Sequence, residues 1–499
     1  MKARPSMAMA CAVAATAAMT ACSGESRQAA ALPEQAPLPL SIAVAQVGEV
    51  PDKGNEIERL IESYTNTKLD IQWIPNAAYT DKINVLIASN ELPKLLRAEY
   101  TPHIIGAMQA DLFWELGPFL PQYPNLSAQH AQYYDNVSVN GKIYGIPNFR
   151  DIGRAAFIYR KDWMDRLGLR QPETIDDWYE VLKALALKDP DQNGKNDTYG
   201  LLLYKKYNEG QASLMSRLAV CLGTPNKWTI ENGSFVPDFM TKEYEDVLKL
   251  FRRLYGEKLI NPDFAVLDQT EAEKLYDSGR AGIRVAVAQN AKSQQDRLSR
   301  TDPWAVVDVE PMRGPGGIRV AGETGNNGFY VIPRSSVKTG EDVKKVLAFL
   351  DHMMDPQMAA LLLRGIEGKH YVKSGDKTEY KDFTAFQRDV KPYRDNLPQI
   401  EGYNVPPLKD TPLGEKAQQI AEDNIRYVLP NPALNLLSTT YAERGRELEQ
   451  LIGDAQTRYI MGKLDDAGWK VEIERWKQAG GKDIMAEYKA DYERIHPSK

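Results

Sequence analysis

LSIAVAQ at residues 40–46 and NEIERLIESYTNTKLDIQWIP at residues 55–75 decide the fold. The first stretch alternates as a strand does. In the second, Ile57, Leu60, Ile61 and Tyr64 recur at helical spacing, after which LDIQWI returns to the two-residue period of a strand. Strand, helix, strand is a βαβ unit, and a chain that starts its folded part this way is expected to build an α/β layer. The pattern continues from residue 79 in YTDKINVLIASNELPKLLRAE, which sets Ile83, Leu86 and Ile87 on one helical face, breaks at Leu92-Pro93 and re-enters a short strand.

Further along, Asn140-Gly141 predicts a hairpin, Pro147 lies in an extended crossing segment, and AAFIYR reads as a strand followed by the short helix KDWMDRLGL. Thr174 with Asp177 three residues on is a capping-box variant that starts another helix. RAGIRVAVA, WAVVDVEPM and NNGFYVIP read as strands, and GEDVKKVLAFLDHMMDPQMAALLLRGIEG as helices punctuated by Pro356. The remainder, with EKAQQIAEDNIRYVL, TTYAERGRELEQLIGDAQTRYIMG and DIMAEYKADYERI, is amphipathic helix. No fixed-period repeat is present.

The length of 499 residues, with 43% hydrophobic content, suits two large lobes or up to three domains. A net charge of -6 without a basic stripe argues against nucleic acid as the main partner. The N-terminus has the layout of a secretory signal, with Lys2 and Arg4 before an apolar run at residues 7–19 and Met19-Thr20-Ala21-Cys22 as the processing site. A small residue before Cys resembles the bacterial lipobox, with Met19 in place of the usual Leu. Residues 1–21 are therefore expected to be a signal peptide, Cys22 the lipidated first residue, and residues 22–38 a flexible tether. The product would be exported and held on the extracytoplasmic face of a membrane, or periplasmic. Only Cys221 would then remain as a thiol, within the apolar LMSRLAVCLG, where it reads as a buried small side chain. Five scattered His and no HExxH or CxxC argue against zinc.

KDPDQNGKNDTYGLL, at residues 188–202, reads as half of an EF-hand. Asp189, Asp191 and Asn193 alternate before Gly194, but the twelfth position, which an EF-hand fills with a bidentate Glu, is Gly200. Asp189, Asp191 and Asn193 would offer side-chain oxygens, Lys195 a backbone carbonyl and Asp197 a ninth-position carboxylate. A metal-free polar turn is the competing reading. With no exiting helix or bidentate Glu, a bound Ca2+ would be a structural staple rather than a switch.

The run NGKIYGIP, FIYRKDWMDRLGL, PETIDDW and KDPDQNGKNDTYG, with GIEGKHY and the helical ending from YIMGKLDDAGW onward, resembles the extracellular solute-binding proteins of bacterial ABC importers. More narrowly, it is similar to the lipoprotein branch that includes alginate-oligosaccharide binders. The resemblance spans nearly the whole mature chain and includes a calcium loop at the place of residues 189–197. It implies the two-lobed α/β periplasmic-binding-protein fold, with crossing hinge strands and a helical C-terminal region, that closes over ligand by hinge motion. Carried onto this chain, it puts one lobe at 39–148 and 328–370 and the other at 149–327 and 371–499. The first crossing falls near residues 145–150 and the second near 325–330.

The function implied is capture of an oligosaccharide and its presentation to the importer's permease subunits by a monomer without catalysis. A secreted polysaccharide-degrading enzyme and a non-transport sensor or peptide binder remain the alternatives. Sugars are held by aromatic faces and by planar polar groups. On that ground Tyr79, Trp114, Asn148, Arg150, Trp228, Trp304, Asn326, Arg364, Glu367, His370 and Tyr371 are the candidates, against core packing for the aromatics. Arg150, Arg154, Arg160, Arg364 and Lys369 supply the cations an acidic ligand would need, and a neutral ligand stays open.

Overall fold

Two sheets divide the strands between them. In the first, the strands lie in the order Thr67–Pro75, Leu38–Gln46, Leu95–Ala98, Asn326–Val331, Gly145–Phe149. The opening βαβ reading is realised: Leu38–Gln46 runs parallel to Thr67–Pro75 and to Leu95–Ala98, with helices Glu56–Thr65 and Tyr79–Ser89 as the connections. Asn326–Val331 enters this sheet antiparallel, between Leu95–Ala98 and Gly145–Phe149. The second sheet has the order Val307–Pro311, Ala155–Arg160, Ala281–Val287, Tyr199–Leu201. Its central strand, Ala155–Arg160, is antiparallel to both neighbours.

The computed structural model describes residues 36–46 and 49–497. The expected signal peptide, Cys22 and most of the tether lie outside the described residues. Leu38–Lys499 forms one compact unit. Among the described residues, no single helix is long and apolar enough to cross a membrane.

Each sheet has its own core. Leu40, Ile42 and Val44 bury one face of the first sheet with Ile57, Ile61 and Leu347, while Ala43 and Ala45 face Tyr79, Ile83 and Met108 on the other. Full burial of such aliphatic side chains stabilises by about 1.5–3 kcal/mol each, so the alternation fixes the register. The second lobe is built on Phe157, Trp163, Trp178, Leu182 and Phe251, joined by Leu448, Tyr459, Trp469 and Tyr488 of the C-terminal helices. Cys221 is fully buried there, and burial pushes its thiol up to about 12.

The local signals act as expected. Asn140 and Gly141 both take positive φ in the hairpin, and Thr174 with Asp177 forms a reciprocal capping box at helix Ile175–Leu187. One boundary differs. The segment from residue 371, expected in the second lobe, packs Phe386, Val390, Tyr393 and Leu397 into the first core, and Asn396 donates to the Ala45 carbonyl at 3.0 Å. Only with helix Pro412–Asp423, whose Ala417 and Ile420 cover Ala156 and Ile158, does the chain return to the second lobe. The apolar residues of 383–397 carry no mark of which sheet they cover, so the sequence does not place this third crossing.

Candidate interlobe binding site

Between strands Gly145–Phe149 and Ala155–Arg160, residues 150–154 carry the chain from one sheet to the other, and residues 322–325 carry it back. The two passages are stitched together: Arg150 N donates to Gly325 O at 2.9 Å and Glu323 N to Ile152 O at 3.0 Å. Gly325 has φ +73°, and a Cβ there would meet Ile152 Cγ1 at 2.7 Å, so this tight pairing requires glycine. From the first lobe, Asn136 Nδ2 donates to Thr324 O at 2.9 Å. From the second, Asn226 Nδ2 donates to Gly322 O at 2.9 Å. The strands of the first sheet that run parallel to Leu38–Gln46 point their carboxyl ends at this seam, where open α/β sheets hold ligands.

The seam is charged. Glu323, 5% exposed, sits between two guanidiniums: Arg154 Nε donates to Oε2 at 3.0 Å and Arg217 to Oε1 at 2.6 Å. Burial alone would raise the Glu323 carboxyl, but Arg217 and Arg154 outweigh it and hold it below the usual carboxylate range. Arg150 faces the same cluster with an exposed side chain that makes no side-chain hydrogen bond or ion pair among the described residues. Desolvation and the like charge of Arg154 lower its pKa against the opposite pull of Glu323 and Asp151. Asp151 is pushed up by burial and by Glu422 and Glu401 beyond it, against the pull of Arg154 and Arg150. The seam thus gathers three guanidiniums around two carboxylates, of which Glu323 is fully engaged by Arg154 and Arg217.

The structure brings few of the sequence candidates here. Arg150 and Asn326 lie at the passages; Asn326 turns its Oδ1 to Gly328 N at 3.1 Å beside the irregularity in its strand. Asn148 is buried just behind, donating to Asp395 O at 2.9 Å. Tyr79 is core, with its hydroxyl on Arg97 O at 2.7 Å. Trp114 lies at the end of the first sheet away from the seam, donating to Val337 O at 2.8 Å beneath the Arg334 guanidinium. Trp228 is held edge-on by Tyr488, with ring centroids 5.1 Å apart, among core aromatics. Trp304 is 87% exposed but follows Asp302, the partner of Arg160, at the end of strand Ala155–Arg160 opposite Arg154. The GIEGKHY group is structural as well: Arg364 is buried on Glu401, Thr378 and Pro406 O, and Glu367 pairs with Lys373 at 2.9 Å. His370 accepts from Ile366 N at 2.9 Å, and Tyr371 is buried at the start of strand Tyr371–Ser374. Aromatic type and motif position marked these residues, whereas their burial depended on tertiary contacts the sequence does not display.

Arg217 and Glu323 escaped sequence reasoning. A faint signal existed in Arg217, the one charged side chain of an otherwise apolar helix, Leu214–Cys221.

The Asp189 loop lies at the other end of the second sheet. It leads into Tyr199–Leu201, whose first residue pairs with Ala281, whereas the Val287 end of that neighbour leads to Ala288, bonded to Arg154 O. Six strand steps of roughly 3.3 Å separate the two ends by about 20 Å. Within the loop, Asp189 accepts from Asn193 N and Gly194 N, both at 3.0 Å, and Asn193 Nδ2 bridges Asp191 at 2.8 Å and Asp197 at 3.0 Å. Asp197 also pairs with Arg280 at 2.6 Å. Asp191 Oδ1 is buried with no partner. Burial, then the neighbouring carboxylates of Asp189 and Asp197, raise the Asp191 pKa. An oxygen-rich set with an orphaned carboxylate oxygen fits a hard cation, although among the described residues no three His, Cys, Asp or Glu side chains converge as a ready cluster. At the twelfth position, a Cβ on Gly200 would stand 2.7 Å from Leu182 Cα and O. Backbone packing of the helix on the strand therefore excludes a Glu there.

A family profile described as "Bacterial extracellular solute-binding protein" matches residues 48–360. Lipoprotein LipO of Bacillus subtilis is 36% identical over 463 residues, covering 89% of this chain and 90% of LipO. The polygalacturonan/rhamnogalacturonan-binding protein YtcQ of the same organism is 34% identical over 446 residues, covering 88% of each chain. Among solved structures, an extracellular solute-binding protein from Bifidobacterium longum subsp. infantis superposes with a TM-score of 0.71 at 17% identity, covering 92% of this chain and 98% of that one. An EF-hand mutant of FusA from S. pneumoniae, in complex with fructo-nystose, does so at 0.61 and 18% identity, covering 92% and 100%.

Proposed function

The chain belongs to the bacterial extracellular solute-binding protein family, and from that premise we propose that it is the binding component of an ABC importer, capturing an oligosaccharide between its lobes. The observation that carries this reading is the seam. Polar and charged groups gather where the backbone passes between two independently cored lobes, the place where closure would bury a ligand. The saccharide reading draws on the polygalacturonan/rhamnogalacturonan named for YtcQ and on the sugar bound to FusA. The protein acts outside the cytoplasm, and anchoring through a lipid on Cys22, as the name of LipO suggests, would keep it beside the permease. It works as a monomer and does no chemistry, handing its cargo over unchanged. Of the sequence candidates, Arg150 and Asn326 are the ones we retain for ligand contact.

The Asp189 loop is read as a structural Ca2+ site, supported by the EF-hand named for FusA and by the orphaned Asp191 oxygen. Asp189, Asp191, Asn193, Lys195 through its carbonyl, and Asp197 would hold the ion, with water or a remote carboxylate completing the shell. Its charge would neutralise the gathered carboxylates.

A thermal-shift screen of the purified protein against neutral and acidic oligosaccharides and peptides tests the reading. A true ligand at a hundredfold excess over its Kd adds about 2.7 kcal/mol of stability. A shift with peptides alone would refute the sugar assignment, and a cleavage product on long incubation would refute the absence of catalysis.

A further inference from the structure

We propose that Glu99 and Asn327 are the first lobe's contacts to the ligand, a carboxylate and an amide that together bind free hydroxyls of the sugar seated at the seam. This rests on the binding-protein reading above and assigns residues of the same site.

The placement of Glu99 follows from the first sheet. From strand Leu38–Gln46 the chain passes through helix Glu56–Thr65 to Thr67–Pro75 on one side, then through Tyr79–Ser89 to Leu95–Ala98 on the other. The strand order reverses there, and the crevice beyond the carboxyl ends at such a reversal is where open α/β sheets take ligands. Glu99 is the first residue out of Leu95–Ala98. Its side chain is exposed and makes no hydrogen bond or ion pair among the described residues, whereas its backbone is held. Glu99 O accepts from Thr101 N at 2.8 Å, and the hydroxyl of the intervening Tyr100 donates to Ser138 O at 2.8 Å.

Asn327 comes from the neighbouring strand. Phe329 pairs with Ala98, so one step further along that register Gly328 faces Glu99 with no side chain to stand in the way, and Asn327 precedes it. On its other edge this strand loses register against Gly145–Phe149 between Asn326 and Phe329, a bulge of the kind that re-aims a side chain. Arg97, 6% exposed, fixes the bulge: Nε and Nη2 donate to Asn327 O at 3.0 and 2.6 Å, and Nη1 reaches Asn396 Oδ1 at 3.4 Å. Among the described residues Arg97 forms no ion pair with a carboxylate, and burying a guanidinium that way is costly. What it secures is the backbone of a residue whose own amide is exposed and unbonded among the described residues.

Glu99, Asn327 and Arg150 stand at the seam ends of three successive strands, so the row spans two strand spacings, roughly 10 Å. The carboxylate only accepts, the amide donates and accepts, and the guanidinium only donates. Sugar hydroxyls do both and can satisfy all three. Because Glu99 needs donors, it selects for unsubstituted hydroxyls at its end of the row. The held backbones leave only side-chain torsions to be ordered on binding, which lowers the cost of association.

The test measures binding by calorimetry of an oligogalacturonate, a rhamnogalacturonan oligosaccharide and kestose to the wild type, and then of each saccharide it binds to Glu99→Gln, Asn327→Ala and Glu91→Gln. Glu91 is an exposed carboxylate ahead of the opposite end of strand Leu95–Ala98 and serves as the control for charge alone. Glu99→Gln and Asn327→Ala should each weaken binding about tenfold or more, with melting temperatures close to wild type, and Glu91→Gln should match the wild type. Unchanged affinity in Glu99→Gln and Asn327→Ala overturns the proposal and leaves the binding-protein reading standing. A loss in only one of them overturns the paired contact, and an equal loss in Glu91→Gln overturns the role of Glu99. No binding of any of the three saccharides to the wild type sinks the underlying sugar reading as well.

Discussion

At the seam, Arg154 and Arg217 share the Glu323 carboxylate beside Arg150 and Asp151; in the Asp189 loop, three carboxylates face one guanidinium, that of Arg280. The two clusters sit at opposite ends of the second sheet. Their construction differs too. The seam gathers residues 150, 154, 217 and 323 from two passages and a helix, and buries its ion pairs; the loop takes its groups from nine consecutive positions and leaves most of them at the surface. The seam is thereby part of the folded framework, whereas the loop is a local element that gathers three carboxylates.

The largest effect is expected from Glu323→Ala, which strands Arg154 and Arg217 without a counter-charge. Removing one member of a buried pair costs about 3–5 kcal/mol, measurable by denaturant unfolding. If the variant is as stable as wild type, the seam is not a framework element. Because the folded Glu323 pKa is depressed, its contribution is complete above the unfolded value of about 4.3 and is lost as pH falls through the lower folded value. Unfolding measured from pH 6 downward should show a steeper loss in the wild type than in Glu323→Ala, where other low-pKa carboxylates such as Asp355 and Asp389 still contribute.

Calcium comes next. At a hundredfold excess over its Kd the ion should add about 2.7 kcal/mol, and chelation should remove that increment with saccharide affinity unchanged. Lost affinity with unchanged melting would contradict the separation of the two sites. The pH signature should be inverted relative to the seam. Asp191 has a raised folded pKa, so its own contribution to calcium-free protein falls as pH rises from the unfolded value of about 3.9 through that raised value, whereas Asp197, held low by Asn193 and Arg280, contributes in the opposite sense. Asp191→Asn should accordingly raise the melting temperature of calcium-free protein and lower that of calcium-loaded protein. The smallest effect is on the stability of Arg150→Gln. An exposed side chain without a protein partner should change it by no more than about 0.5 kcal/mol.

The same contrast explains what the sequence disclosed. The loop was legible because its residues are adjacent and its spacing carries the chemistry. The opening βαβ unit was legible for a similar reason, since Ile42, Val44, Ile57 and Ile61 show their burial in their period. The seam was legible in Arg150, Arg154 and Asn326, and no further. Glu323 and Arg217 are 106 residues apart, and nothing near either announces the other. Aromatic candidates misled for a related reason: Trp228 and Tyr79 have the side chains of a sugar platform, and only the packing of Tyr488 over one and the Arg97 carbonyl on the other shows them to be core. The third crossing was missed because Phe386 and Tyr393 are equally apt to cover either sheet.

One further property follows from Cys221. The Leu38–Lys499 unit contains no other thiol, and this one is wholly enclosed, with its pKa pushed up to about 12. Thiol-directed dyes need an accessible thiolate, so the native unit is silent toward them. A pair of cysteines placed one on each lobe would take up donor and acceptor fluorophores without a competing site. Whether the two halves move when ligand binds could then be followed on single molecules in an otherwise unaltered Leu38–Lys499 unit.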